Sequence, residues 1–149
     1  MISITLVVSK TDVLNEVSLA TEYTGQKMTD DKDAYGRIRT TDDDGEALDR
    51  FWLEACSDAT DTFKRFITSV NTTADYVVAM SVSSRYDTNL TAGMQDSLRS
   101  FFVNSIMSKW NQYTNKGEVE MYAQLALTFM KDVEAKLYYK KKPTRVSPS

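Results

Sequence analysis

Ile2, Ile4, Leu6 and Val8 alternate with Ser3, Thr5 and Val7, a period of two in β-favouring residues that predicts a half-buried strand. The period then changes. After Ser9 or Thr11, both good N-caps, Val13, Leu14, Val17, Ala20 and Tyr23 fall on one helical stripe, and Gly25 is placed to stop it. A polar stretch follows, and then the longest periodic segment. Leu48, Phe51, Trp52, Ala55, Ala59, Phe63, Phe66, Ile67 and Val70 keep to one face, opposite Asp49, Arg50, Glu54, Asp58, Asp61, Lys64 and Arg65. At these spacings the aromatic face reads as the core seam of a second helix and not as a ligand site.

In "ADYVVAMSVSS" the alternation returns: Tyr76, Val78, Met80 and Val82 are interleaved with Val77, Ala79 and Ser81, which predicts a second strand, with helix as the competing reading. Leu90, Met94, Leu98, Phe101, Phe102, Ile106 and Trp110 then recur at helical spacing behind the cap candidates Thr88 and Asn89. This third helix is expected to end near "NKG", where Gly117 is suited to the left-handed conformation. A fourth helix places Val119, Tyr122, Ala123, Ala126, Phe129, Met130, Val133 and Leu137 on its apolar side. The expected fold is mainly α: a four-helix bundle-like single domain with two short β-strands, in the order β-α-α-β-α-α. Each half would be one strand and two helices, although no residue-level repeat accompanies that symmetry. Two strands do not make an independent sheet, so they must pair under the helices or be completed by a neighbouring subunit.

Composition narrows the function. With 149 residues, one domain that buries roughly 70% of its unfolded surface is expected. Only 5 Gly and 2 Pro are present, which suits helices. The apolar start "MISITLVV" lacks a basic flank and a cleavage site and is too short to span a bilayer, so neither a signal peptide nor a membrane segment is expected. Cys56 is the single cysteine, and histidine is absent. Ser/His/Asp and Cys/His nucleophile systems are therefore excluded. The scattered glycines spell neither a P-loop nor a dinucleotide fingerprint. No cofactor and no enzymatic activity are expected.

Two stretches remain as candidate sites. In "DDKDAYGRIRTTDDD", Asp31, Asp33, Gly36 and Asp42 match positions one, three, six and twelve of a calcium loop. Tyr35 and Arg39 occupy positions where oxygen ligands belong, the terminal bidentate Glu is a shorter Asp, and no entering helix precedes the loop. The better reading is a helix start. Thr41 as N-cap with Asp44 three residues on gives a capping pattern, and Asp42, Asp43 and Asp44 complement the helix dipole, with Tyr35 and Ile38 pinning the connection.

The second stretch is the C-terminal "KLYYKKKPTRVSPS". Residues 1–139 are expected to form the helical domain, and 140–149 a basic, flexible tail that Pro143 and Pro148 keep from being helical. Tyr138, Tyr139, Lys140, Lys141, Lys142 and Arg145 are the candidate partner-binding residues. The chain is electrically polarised: Met1 to Asp61 holds 6 basic and 14 acidic residues, a balance of −8, whereas Thr62 to Ser149 holds 12 and 7, a balance of +5. A basic end of this kind can engage an acidic protein surface or nucleic acid. No groove-reading motif accompanies it, so nucleic acid is not the favoured partner.

The segment "TEYTGQKM", followed by "AYGRIRTTDDDGEALDRFWLEAC", resembles small proteins encoded among the virion structural genes of tailed phages and prophages of gut bacteria. The likeness covers the N-terminal half and rests on Tyr23, Gly25, Tyr35, Ile38, the Thr-Thr-Asp cap and the Phe51-Trp52 helix. It implies a virion structural protein, and by fold-level analogy a neck or head-to-tail connector. Its partners would be other virion proteins, portal or tail components, together with further copies of itself. Its location would be the host cytoplasm during assembly and then the particle. Because the acidic loop reads as a helix start, millimolar calcium is expected to leave the melting temperature unchanged; a rise that chelator reverses would make the loop a metal site.

Overall fold

The computed structural model describes residues 1–27, Thr40 and residues 44–141. In chain order these form β1 (Ile2–Val8), α1 (Lys10–Lys27), α2 (Gly45–Phe63), β2 (Ile67–Asn71), β3 (Tyr76–Val82), α3 (Thr91–Thr114) and α4 (Val119–Tyr138). Short 3-10 turns at Thr88–Leu90 and Lys116–Glu118 precede the last two helices. The described chain is mainly helical, with one small sheet.

The alternation at the two predicted strands is realised. β1 pairs antiparallel with β3, Ile2 opposite Val82 and Val8 opposite Tyr76. Ile4, Leu6 and Val8 are thereby buried beside Tyr76, Val78, Met80 and Val82, while Ser3, Thr5 and Val7 face outward. The sheet has a third strand that the helical pattern concealed. α2 stops at Phe63, the Phe66 amide donates to the Phe63 carbonyl at 2.9 Å in a tight turn, and Ile67–Asn71 runs back along β3 as an antiparallel edge. Phe66, Ile67 and Val70 thus do not continue the helical seam. "ITSV" is rich in β-branched residues, which lose side-chain freedom in a helix and fit a pleated sheet, and the polar "NTTAD" after it supplies the hairpin connection. An extra residue, Thr68, bulges the edge strand, and its hydroxyl donates to the Ala79 carbonyl at 3.2 Å.

Among the described residues the order is therefore β-α-α-β-β-α-α, not two equal halves, and the sheet (β1-β3-β2) pairs its strands within one chain. Helix ends differ from expectation in three places. α1 continues through Gly25 to Lys27, since a glycine costs a helix only about 1 kcal/mol relative to alanine. Asp87, not Thr88 or Asn89, caps the turn leading into α3, its carboxylate accepting from the Asn89 amide at 3.0 Å. Gly117 has a negative φ inside a 3-10 turn, and α3 is ended instead by Asn115, at φ −155° and ψ 77°. Ser9 does cap α1, accepting from the Asp12 amide at 3.4 Å. The Lys10 amide bonds the Asp75 carboxylate at 3.0 Å, tying the start of α1 to the β2–β3 connection.

α2 begins at Gly45 with Asp44 in the N-cap position and Glu46 in the first turn; the expected cap Thr41, the acids Asp42 and Asp43, and the pins Tyr35 and Ile38 lie outside the described residues. Thr40 is buried, its amide donating to Thr21 Oγ1 at 3.1 Å, so the connection meets α1 just before α2 starts.

α3 is the centre. It packs against α1, α2, α4 and β1, and Met94, Leu98, Phe101, Phe102, Ile106 and Trp110 are all buried. The Phe102 ring lies 4.8 Å from Trp52 of α2 and 5.2 Å from Tyr76 of β3, centroid to centroid. α4 contributes Ala126, Met130, Val133 and Leu137 to this core, whereas Ala123 is exposed. A polar clamp adds to the α3–α4 contact: Ser97 Oγ and Lys136 Nζ both donate to Asp132 Oδ2, at 2.5 and 2.6 Å.

The Lys136 and then the Ser97 hydrogen bond hold the Asp132 carboxyl below the usual carboxylate range. A depressed folded-state pKa contributes stability above the unfolded value, near 3.9, and loses it as pH falls through the lower folded value. Asp132→Asn is expected to cost about 1 kcal/mol at pH 7 in urea unfolding, the pair being partly exposed. The gap to the wild-type chain should close as pH is lowered below about 4; a gap independent of pH would remove the carboxylate from the account.

Candidate cationic docking site

Three segments far apart in sequence meet at one end of the molecule. The turn after α2 brings Arg65 and Phe66. The end of β3 brings Ser81, and the bend beyond it Ser83, Ser84 and Arg85; there the Tyr86 amide donates to the Ser83 carbonyl at 2.9 Å and the Arg85 amide to Ser83 Oγ at 3.2 Å. The third segment is the end of α4. The helix closes with the Tyr139 amide on the Ala135 carbonyl at 3.0 Å, and Tyr139 itself is extended, at φ −64° and ψ 132°.

The chain leaving α4 is held across the bend after β3. The Lys141 amide donates to the Arg85 carbonyl at 2.8 Å, and in return Arg85 donates to the Lys141 carbonyl from Nε at 3.1 Å and from Nη2 at 2.8 Å. One guanidinium and one backbone amide thus anchor the first residues of the basic segment. Tyr138 is fixed by aromatic contacts: Phe66 meets it edge to face at 5.1 Å, and the Arg65 guanidinium lies 5.9 Å from its ring centroid, a cation–π arrangement.

Together with Met1 these segments border an open recess of about 390 Å³, lined by Met1, Arg65, Phe66, Ser81, Ser83, Ser84, Leu137, Tyr138 and Lys140. Among the described residues no carboxylate lines it. Arg65, Arg85, Lys140 and Lys141 form no ion pair among the described residues, whereas Lys10 faces Asp49 at 2.9 Å, Arg99 faces Glu16 at 3.2 Å, Lys109 faces Glu54 at 3.2 Å, and Lys136 faces Asp132. Arg50, Lys116 and Lys131 likewise have no acid partner among the described residues, but they stand apart from one another in sequence, whereas this end gathers four such cations.

Of the residues predicted from sequence, Tyr138 and Lys140 enter the recess, and Lys141 is anchored beside it. Tyr139 instead lines a smaller cleft of about 250 Å³ with Asp87, Leu90, Ala135 and Lys136. Lys142 and Arg145 lie outside the described residues. Sequence reading missed Arg65, Phe66, the three serines and Arg85. The "SVSSR" that follows the alternating strand was a signal for hydroxyls at a strand end, but nothing in the pattern told that they would face the basic segment.

Elsewhere, a shallow groove of about 670 Å³ runs between α2 and β2, lined by Leu53, Cys56, Ser57, Thr60, Asp61, Lys64, Val70 and Thr72. Burial pushes the Cys56 thiol up to about 12, against the charge of Lys10, which disfavours the reactive thiolate at neutral pH. Among the described residues no group of three or more Cys, Asp or Glu is placed to hold a metal ion, and no helix is long and apolar enough to cross a membrane. The acidic positions Asp31, Asp33, Gly36 and Asp42 fall outside the described residues. No protein-family model, no curated protein and no solved structure matches the chain.

Iodoacetamide is expected to label Cys56 in the native protein more than a hundredfold more slowly than in the unfolded chain, given its burial and raised pKa. Rapid native labelling, followed by mass spectrometry, would show a reactive thiol in the groove.

Proposed function

We propose that the chain is a structural assembly protein of a tailed phage or prophage particle, a neck or head-to-tail connector component that works through protein–protein contacts. In this reading the helices around α3 form a bundle-like block, and its basic end docks on an acidic surface of a neighbouring portal or tail protein. The observation that carries the reading is the grouping of Arg65, Arg85, Lys140 and Lys141, unpaired among the described residues, around a recess at the root of the basic segment. Unpaired surface cations add little to the stability of an isolated chain, but they steer and orient a charged partner. The resemblance of the N-terminal half to virion-encoded proteins supplies the biological setting. Copies of the chain would pack head to tail, a heterologous contact that closes into a ring when the rotation permits.

A second reading uses the same charges. The cations, with Lys142 and Arg145 beyond them, would also attract a phosphate backbone, making the chain a small regulatory module that binds nucleic acid. Binding of that kind falls steeply with salt, so salt-sensitive DNA binding without higher oligomers would favour it.

The decisive variant must spare the core. Leu137 is buried and Tyr138 packs on Phe66, so the cut belongs after Lys141. Truncation there, combined with Lys140→Glu and Lys141→Glu, is expected to change stability by no more than about 1 kcal/mol, because the substituted side chains are exposed. Incorporation into particles, measured when the chain is co-expressed with the remaining virion genes, should be lost. Normal incorporation of a folded variant would overturn the docking role of this end.

A further inference from the structure

The recess at the basic end is larger than a bare anion needs, and its walls are of two kinds. One side is cationic and hydroxylic. Arg65 and Lys140 form no ion pair among the described residues, Ser81 and Ser84 form no side-chain hydrogen bond there, and Ser83 Oγ accepts from the Arg85 amide, which leaves its own proton to be donated. The other side is apolar, formed by Phe66, Leu137 and the Tyr138 ring. At about 390 Å³ the space is within the range of small-ligand sites, roughly 300–1,000 Å³, in which apolar walls hold the body of a ligand and a few polar groups fix its orientation.

We infer that this recess binds a carboxylate carried next to an apolar side chain, as presented by an acidic segment of a protein partner; the inference rests on the reading of this end as a protein-docking surface. Arg65 offers the fork of donors that matches a carboxylate, Lys140 adds a second positive charge, and the serines donate to the oxygen edges. The neighbouring aliphatic or aromatic side chain covers Phe66 and Leu137. Charge complementarity sets the sign of the ligand, since among the described residues every ionisable side chain lining the recess other than the Tyr138 phenol is a base. A nucleotide fits less well. Its base needs an open aromatic face for stacking, and the Tyr138 ring is already engaged by the Arg65 guanidinium and by Phe66.

The test is a titration of the full, isotopically labelled chain, followed by amide resonances, with four probes: N-acetyl-leucine, its neutral amide, inorganic phosphate and a thymidine dinucleotide. Saturable shifts are expected at Phe66, Ser81, Ser83 and Ser84 with N-acetyl-leucine, and far weaker ones with the amide. Arg65→Gln and Lys140→Gln should each weaken the N-acetyl-leucine response about tenfold, the worth of one charge-assisted hydrogen bond, while Lys131→Gln on the outer side of α4 should not. Both positions are exposed, and unchanged amide spectra elsewhere report that each variant is folded. No response at these amides, or an equal response to the neutral amide, overturns the inference. So does saturation by phosphate or by the dinucleotide at lower concentration than by N-acetyl-leucine. Loss of particle incorporation on truncation, with no response to N-acetyl-leucine, overturns the recess alone and leaves the assembly reading standing.

Discussion

The fold depends on the burial of α3. A helix in a small protein usually shows one apolar stripe, but Phe101, Phe102, Val103, Ile106, Met107 and Trp110 bury almost the whole circumference of this one, and even Ser105, Ser108 and Asn111 are withdrawn from water. Such a helix must be enclosed, and each remaining layer is placed by that requirement. α1 and α2 cover two flanks, the sheet contributes β1 and, through Tyr76, β3, and α4 covers another flank. Phe102 is the junction, touching Trp52 and Tyr76 as well as Phe101. Tilted and edge-on aromatic contacts of this kind contribute about 0.5–1.5 kcal/mol each beyond the area they bury. Of the polar groups drawn inside, Tyr76 shares a hydrogen bond of 2.9 Å with Thr60 and Tyr86 one of 2.8 Å with Thr91, whereas Trp52 Nε1 and Asn111 Oδ1 have no hydrogen-bond partner among the described residues.

The electrostatic design follows from the same packing. Once α2 lies against α3, Lys109 reaches both Glu54 and Asp58 on its outer face, and once α1 lies against α3, Arg99 reaches Glu16. These pairs are half-exposed and individually contribute little, but they set acids of the N-terminal half against cations of the C-terminal half. Four cations without an acid partner among the described residues, Arg65, Arg85, Lys140 and Lys141, gather where three chain segments end.

Much of the fold was legible in the sequence because burial imposes a period. The strands at Ile2–Val8 and Tyr76–Val82, the face of α2 from Leu48 to Phe63 and the stripe of α4 were all written as alternation or as helical spacing. β2 was not, because Ile67 and Val70 happen to continue the helical spacing of Phe63 and Phe66. On a short, mostly exposed edge strand the pattern carries little burial information. The end of α1 was misplaced at Gly25, and the end of α3, expected near "NKG" and found at Thr114, was assigned to the wrong residue, because glycine permits a left-handed turn without requiring one. At the candidate site, Tyr138 and Lys140 were visible as a cluster local in sequence. Arg65 and the serines were not, since their proximity is a property of the tertiary fold.

That division bears on how the proposed docking surface would be built. A flexible basic segment alone would attract any acidic partner with little selectivity and would lose conformational entropy on binding. Here the Arg85–Lys141 reciprocal bonds fix the backbone where the segment begins, so Lys140 is presented from an ordered position beside Arg65. The cost of holding these cations near one another, without a compensating acid, falls on the folded chain and is offset by the core around α3. A partner that supplies the missing negative charge would recover it. The stability of the helical body and the positive charge at its end are therefore coupled, and an acidic ligand at that end should be felt throughout the fold as added stability.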